Sequence, residues 1–121
     1  MKKIALLIDD EPDLLDMLKT EIEDCGIATL TAGNSETAQN LLEKHTDSIS
    51  VVLSDVYMGG GSGLDILNHM QNHDSLKRIP FFIMSAGPAS QFESAQLSQL
   101  EGYIEKPFDV EAVVNIVKKF C

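Results

Sequence analysis

Short apolar runs alternate with longer segments of helical period along the whole chain. Ile4 to Ile8 is apolar at every position, which suits a strand covered on both faces, because a half-exposed strand alternates polar and apolar residues. Pro12 suits the first turn of a helix, where its missing N–H costs nothing, and Leu14, Leu15, Leu18 and Ile22 share one stripe until Gly26 ends it. Ile27 to Thr31 reads as a weaker second strand. Asn34 or Ser35 then caps a helix carrying Ala38, Leu41, Leu42 and His45 on one side. Ile49 to Leu53 is the third strand. After it, Ser62 and Asp65 have the spacing of a capping box, opening a helix with Leu64, Leu67 and Met70 facing inward.

Ile79 to Met84 is the fourth strand, with Pro80 tolerable only at its start. Pro88 is placed to open a helix running from Ala89 to Ser98, but Phe92 and Ala95 offer only a thin apolar stripe there, so this helix is expected to be the least stable. Gly102 to Ile104 is a short fifth strand. Asp109 caps a last helix with Val110, Val113, Val114, Val117 and Phe120 at core spacing. Five strand-helix pairs predict an α/β fold in which a five-stranded parallel sheet is covered by helices on both faces, since each crossover is right-handed. Ligands of such sheets bind at the carboxyl ends of the strands.

With 121 residues, 44% of them hydrophobic, the chain is expected to be a single domain spanning 1–121. No 18-residue apolar run and no charged-then-apolar leader occurs, which predicts a soluble cytoplasmic protein. Nine Lys and Arg against 19 Asp and Glu give a net charge of −10, which argues against direct nucleic-acid binding and against an anionic membrane, leaving proteins and cations as partners. Cys25 and Cys121 lack metal or redox spacing and read as free thiols.

The polar residues fall where the sheet predicts a site. Asp9, Asp10 and Glu11 follow the first strand, Asp55 the third, Ser85 the fourth and Lys106 the fifth. Gathering Asp9, Asp10 and Asp55 at one edge raises their proton affinity unless a cation relieves it. Mg2+, a hard ion held by carboxylates and phosphate oxygens, fits that need. Asp55 supplies a nucleophile, Ser85 a hydroxyl donor and Lys106 a cation for phosphoryl oxygens. Favourable placement of the acids at a helix N-terminus is the simpler alternative for Asp9, Asp10 and Glu11 taken alone.

At these positions the sequence resembles the receiver domain of two-component response regulators, through Leu7-Ile8-Asp9-Asp10-Glu11, Leu53-Ser54-Asp55-Val56-Tyr57-Met58, Gly63-Leu64-Asp65, Ile83-Met84-Ser85-Ala86 and Gly102-Tyr103-Ile104-Glu105-Lys106-Pro107-Phe108. The resemblance implies a flavodoxin-like doubly wound (βα)5 fold with strand order 2-1-3-4-5. It implies that Asp55 accepts a phosphoryl group from the phosphohistidine of a sensor histidine kinase or histidine phosphotransfer protein. Asp9, Asp10, Asp55 and the backbone carbonyl of Tyr57 would hold Mg2+, Ser85 and Lys106 would bind the phosphoryl group, and Ser85 with Tyr103 would act as the switch. A cis Lys106-Pro107 bond is expected on the same ground. The chain is expected to carry no output domain, so the expected response is a change in a protein-binding surface read by a downstream protein the sequence does not name.

The resemblance departs where the family has Met-Pro-x-Met and this chain has Met58-Gly59-Gly60-Gly61-Ser62-Gly63, a run with greater backbone freedom beside Asp55. That run lacks the lysine of a phosphate-binding P-loop. It leaves open a receiver fold that signals without phosphorylation. A Mg2+-dependent phosphohydrolase with an aspartate nucleophile is a further alternative, although Asp9 is followed by Asp10-Glu11 rather than the Asp-x-Asp of such enzymes. His69 and His73 stand four apart, a spacing that can bind metal. No third ligand is apparent in the sequence, and a solvated helix face is the simpler reading. Lys118 and Lys119 complement the dipole of the last helix.

Overall fold

The computed structural model describes residues 3–58, 61–87 and 92–121. In chain order these form β1 (Ile4–Ile8), α1 (Pro12–Glu23), β2 (Ala28–Ala32), α2 (Ser35–Lys44), β3 (Ile49–Asp55), β4 (Tyr57–Met58), β5 (Gly61–Ser62), α3 (Gly63–Gln71), β6 (Phe81–Ser85), α4 (Ser94–Leu97), β7 (Gly102–Glu105) and α5 (Val110–Phe120). The main sheet is parallel, with order β2-β1-β3-β6-β7. Numbered by its own five strands this is the flavodoxin-like order 2-1-3-4-5. It places β1 and β3 side by side at the point where the order reverses, the crevice in which open α/β sheets bind ligands.

The continuous apolar runs divide by parity between two cores. From β1, Ile4, Leu6 and Ile8 pack under α2 and α3 with Ala38, Leu42, Ile66, Leu67 and Met70. Ala5 and Leu7 face the other way, onto Leu15, Leu18 and Ile22 of α1 and Val113, Val114 and Val117 of α5. The ladder between β1 and β3 slips at Ser50, since Ile4 pairs with Ile49 and Ala5 with Val51. That bulge lets Ile49 and Val52 face the same core despite their odd spacing.

Local chemistry sets the element ends. The Asn34 side chain accepts from the Thr37 N–H, which settles the α2 cap on Asn34 and leaves Ser35 as the first, buried helical residue. Ser62 and Asp65 form the expected capping box of α3. Gly26 sits at φ +84°, the left-handed conformation that closes the turn after α1.

Several boundaries differ from expectation. β2 begins at Ala28 rather than Ile27, and β3 continues through the buried Ser54 to Asp55. β6 begins at Phe81, because Pro80 has no N–H to give the ladder, although Ile79 is still buried. The hairpin of β4 and β5 was not expected. α4 is a single turn with no buried residue, as its thin apolar stripe warrants. The expected opening of that helix, at Pro88 to Gln91, lies outside the described residues, as do Gly59 and Gly60. No helix among the described residues is long and apolar enough to cross a membrane.

Candidate functional site

The site grows from strand ends. Each central strand delivers its last residues to the same edge because the strands are parallel, so polar side chains ending apolar runs converge there. Asp9 directly follows β1 and is fully buried. Its Oδ1 accepts from the Glu11 backbone N–H at 3.0 Å, and its Oδ2 accepts from Lys106 Nζ at 2.8 Å. Asp55, at the end of β3, keeps 15% of its side chain exposed, and its Oδ1 accepts from the Val56 N–H at 2.8 Å. Lys106 Nζ also stands 3.5 Å from Asp55 Oδ2, so one cation bridges both carboxylates. Asp10 is exposed, yet one carboxylate oxygen from each of Asp9, Asp10 and Asp55 lies within 4.8 Å of the others.

Charge in this cluster is not balanced. Burial holds the Asp55 carboxyl above the ordinary carboxylate range, and the Asp9 charge raises it further against the opposing pull of Lys106. For Lys106, burial alone would lower the pKa. The bond to Asp9 and the charges of Asp9, Asp55 and Glu11 outweigh it and raise the ammonium above its usual value. The carboxylates therefore retain affinity for a further cation. An all-oxygen set with one carboxylate open to water fits a hard divalent ion such as Mg2+, which keeps part of its hydration shell.

Ser85 ends β6 next to β3, one residue beyond Met84, the partner of Asp55. Its Oγ accepts from the Gly87 N–H at 3.2 Å, and its carbonyl accepts from the Lys106 N–H at 2.8 Å. Lys106-Pro107 is cis, as expected. Tyr57 is 70% exposed at the start of the hairpin. Tyr103 is half-buried on β7, its hydroxyl donating to the Gly87 carbonyl and its ring 5.9 Å from that of Phe92.

Two features of the site escaped the sequence reading. Asp9 and Lys106 are paired across 97 residues, a contact no local pattern encodes. Gly63 is the other. A Cβ there would lie 2.3 Å from the Asp55 carbonyl oxygen and 2.9 Å from Ser54 Oγ, so α3 can begin against the end of β3 only on a glycine. Its N–H donates to the Val56 carbonyl at 2.7 Å, tying the helix start to the residue after Asp55. The Ser62/Asp65 spacing located the helix start without revealing this closeness.

Comparison with known proteins agrees with the fold. The family model for the response regulator receiver domain matches residues 5–118, and the chain belongs to that family. It is therefore a receiver domain of two-component signalling. Such domains are regulatory phosphoacceptors rather than conventional enzymes; they bind Mg2+ at an acidic pocket and interact with histidine kinases or phosphotransfer proteins. The chain is 32% identical over 111 residues to the Heme response regulator HssR of Staphylococcus aureus, covering 91% of this chain and 47% of HssR, so it spans about half the length of that relative. Chemotaxis response regulator CheY4 of Vibrio cholerae has the same fold, with TM-score 0.86 at 19% identity over the whole of both chains. Response regulator protein TrrA of Thermotoga maritima, solved in complex with Mg(2+)-BeF, is similar with TM-score 0.82 and 25% identity, over 98% of this chain and 99% of TrrA.

Proposed function

We propose that this receiver domain is a phosphorylation switch in which Asp55 accepts a phosphoryl group from the phosphohistidine of a sensor histidine kinase or histidine phosphotransfer protein. The observation that carries this reading is the meeting of Asp9, Asp10 and Asp55 at the sheet edge with Lys106 bridging two of them. An Asp55 carboxylate oxygen forms the new O–P bond while the P–N bond breaks and its electron pair stays on the donor imidazole. A loose phosphoryl-transfer transition state needs positioning and charge neutralisation more than covalent help. Asp9, Asp10, Asp55 and the Tyr57 carbonyl are the residues that would hold Mg2+, and the ion supplies charge neutralisation for the phosphoryl oxygens. Lys106 already holds the Asp9 and Asp55 carboxylates and offers its ammonium to a phosphoryl oxygen. The Ser85 hydroxyl donates to another. That TrrA, a protein of the same fold, was solved in complex with Mg(2+)-BeF supports a role for Mg2+ in this reading.

The experiment is incubation with Mg2+ and a small phosphodonor, followed by mass spectrometry of peptides. One phosphoryl group on Asp55 is expected in wild type and none in Asp55→Asn. Equal labelling of a folded Asp55→Asn chain assigns the acceptor elsewhere.

A further inference from the structure

Away from the carboxylate edge, Glu43, His69 and His73 come together on the α2 and α3 side of the sheet. One ligand-capable atom from each lies within 4.8 Å of the others. Helices in this fold run back against their strands, and Glu43 and His69 lie in the last turns of α2 and α3. The cluster therefore occupies the edge of the sheet opposite Asp55. α3 ends at Gln71, so the two histidines do not share a helix as their spacing suggests. The Asn72 and His73 N–H groups turn back to the carbonyls of His69 and Met70, and the buried Leu76 anchors the chain that follows.

The two imidazoles are set up differently, and both leave Nε2 available. His73 Nδ1 lies 2.8 Å from the His69 carbonyl oxygen. A carbonyl only accepts, so Nδ1 carries the proton and the neutral ring has its lone pair on Nε2. This is the arrangement by which a backbone carbonyl orients a metal-binding histidine. His69 Nε2 is buried and has no hydrogen-bond partner among the described residues. It faces Glu43 Oε1 at 3.6 Å, too far for a hydrogen bond. Two ligands each about 2.0–2.1 Å from a tetrahedral centre stand about 3.4 Å apart, close to that separation. The His69 and His73 ring centroids are 4.4 Å apart. Glu43, with 60% of its side chain exposed, and the exposed His73 have room to adjust around the more fixed His69.

We propose that Glu43, His69 and His73 form a binding site for a borderline divalent transition metal, with Zn2+ as the fitting ion and water in the fourth position. Two imidazoles and one carboxylate suit Zn2+ and are a poor set for Mg2+, which prefers oxygen throughout. The bound ion joins the end of α2 to the end of α3 and gives the buried His69 Nε2 a partner. The site is independent of phosphorylation at Asp55.

The test is histidine-ring NMR of the full chain titrated with Zn2+, under reducing conditions and with Cys25 and Cys121 replaced by Ser to remove competing thiols. One equivalent of Zn2+ is expected to shift the His69 and His73 ring signals and leave His45 in place. Glu43→Gln and His73→Gln should each weaken binding at least about tenfold, since even the partners behind a ligand are worth that much. Zn2+ should raise the melting temperature of the parent more than that of either variant at the same concentration. Glu43→Gln alters only an exposed side chain, so the test survives if the histidine variant folds poorly. Unmoved His69 and His73 signals at saturating Zn2+, or affinity unchanged in Glu43→Gln, overturns the proposal and leaves the cluster as an ion pair of His69 with Glu43.

Discussion

Asp55 is built to be uncomfortable as an anion. Burial and the Asp9 charge hold its carboxyl above the ordinary carboxylate range, and Lys106 offsets them only in part. A group that binds its proton more tightly in the folded than in the unfolded chain favours folding while protonated. That contribution is complete below the ordinary carboxylate pKa and is lost as pH rises through the raised folded value. At neutral pH, then, ionised Asp55 opposes folding. Asp55→Asn retains the shape and removes the charge, so its melting temperature should exceed that of wild type at neutral pH, and the gap should close as pH falls below the ordinary carboxylate range. Thermal melts of both proteins across that range check the sign, and an Asn variant that is less stable at neutral pH contradicts it. Lys106 works in the other direction. The Asp9 bond and neighbouring negative charges, outweighing burial, hold it protonated, so its contribution stays at neutral pH and is lost only above the ordinary lysine range. The site thus keeps a fixed cation beside a carboxylate whose remaining charge a divalent cation would help to balance.

Among the elements, α3 is the one most tightly tied to the site. Its first residue meets the backbone of Asp55 with no room for a methyl group. The nearest atom is a backbone oxygen of a central strand, which cannot swing aside as a flexible side chain can. Gly63→Ala should therefore cost about 1–3 kcal/mol in urea unfolding, as overpacking does, and should slow phosphorylation by moving the end of β3 against the helix start. Wild-type stability and labelling rate in that variant contradict the account. This constraint also marks where the sequence stops being legible. The apolar runs Ile4–Ile8, Ile49–Leu53 and Ile79–Met84 announced strands buried on two faces, and the helical stripes of α1 and α5 announced what covers one of those faces. Asp9, Asp55, Ser85 and Lys106 were legible as site candidates because each polar residue follows shortly after an apolar run. Backbone approach is different, since Gly63 reads as an ordinary helix opener until β3 is placed beside it. The β4–β5 hairpin was missed because two-residue strands carry no hydrophobic period. Glu43 was missed as a partner of His69 and His73 because it belongs to another helix.

Across the whole molecule, the question is how an event at Asp55 reaches a face that another protein could read. The described bonds provide a route. Ser85 Oγ accepts from the Gly87 N–H, and the Gly87 carbonyl accepts from the Tyr103 hydroxyl. Tyr103 in turn packs with Phe92 against the α3 side of the sheet, while α4 close by in sequence buries nothing to hold it. A phosphoryl group on Asp55 offers new oxygens to the Ser85 hydroxyl, and moving Ser85 changes the position of the Gly87 carbonyl that Tyr103 holds. The resulting bias need be only a few kcal/mol to shift a weakly packed element. Position between two sites is not by itself coupling, so the test must remove one link and read the far end. Ser85→Ala deletes the hydroxyl at small cost in volume. In wild type, phosphorylation of Asp55 should move the Tyr103 ring signals and those of Ser94 to Leu97. In Ser85→Ala those shifts should shrink to a fraction of their wild-type size, even when Asp55 is phosphorylated to the same extent. Identical Tyr103 shifts in the two proteins at equal phosphorylation would show that the signal reaches this face without Ser85, through Lys106 and the end of β7 instead.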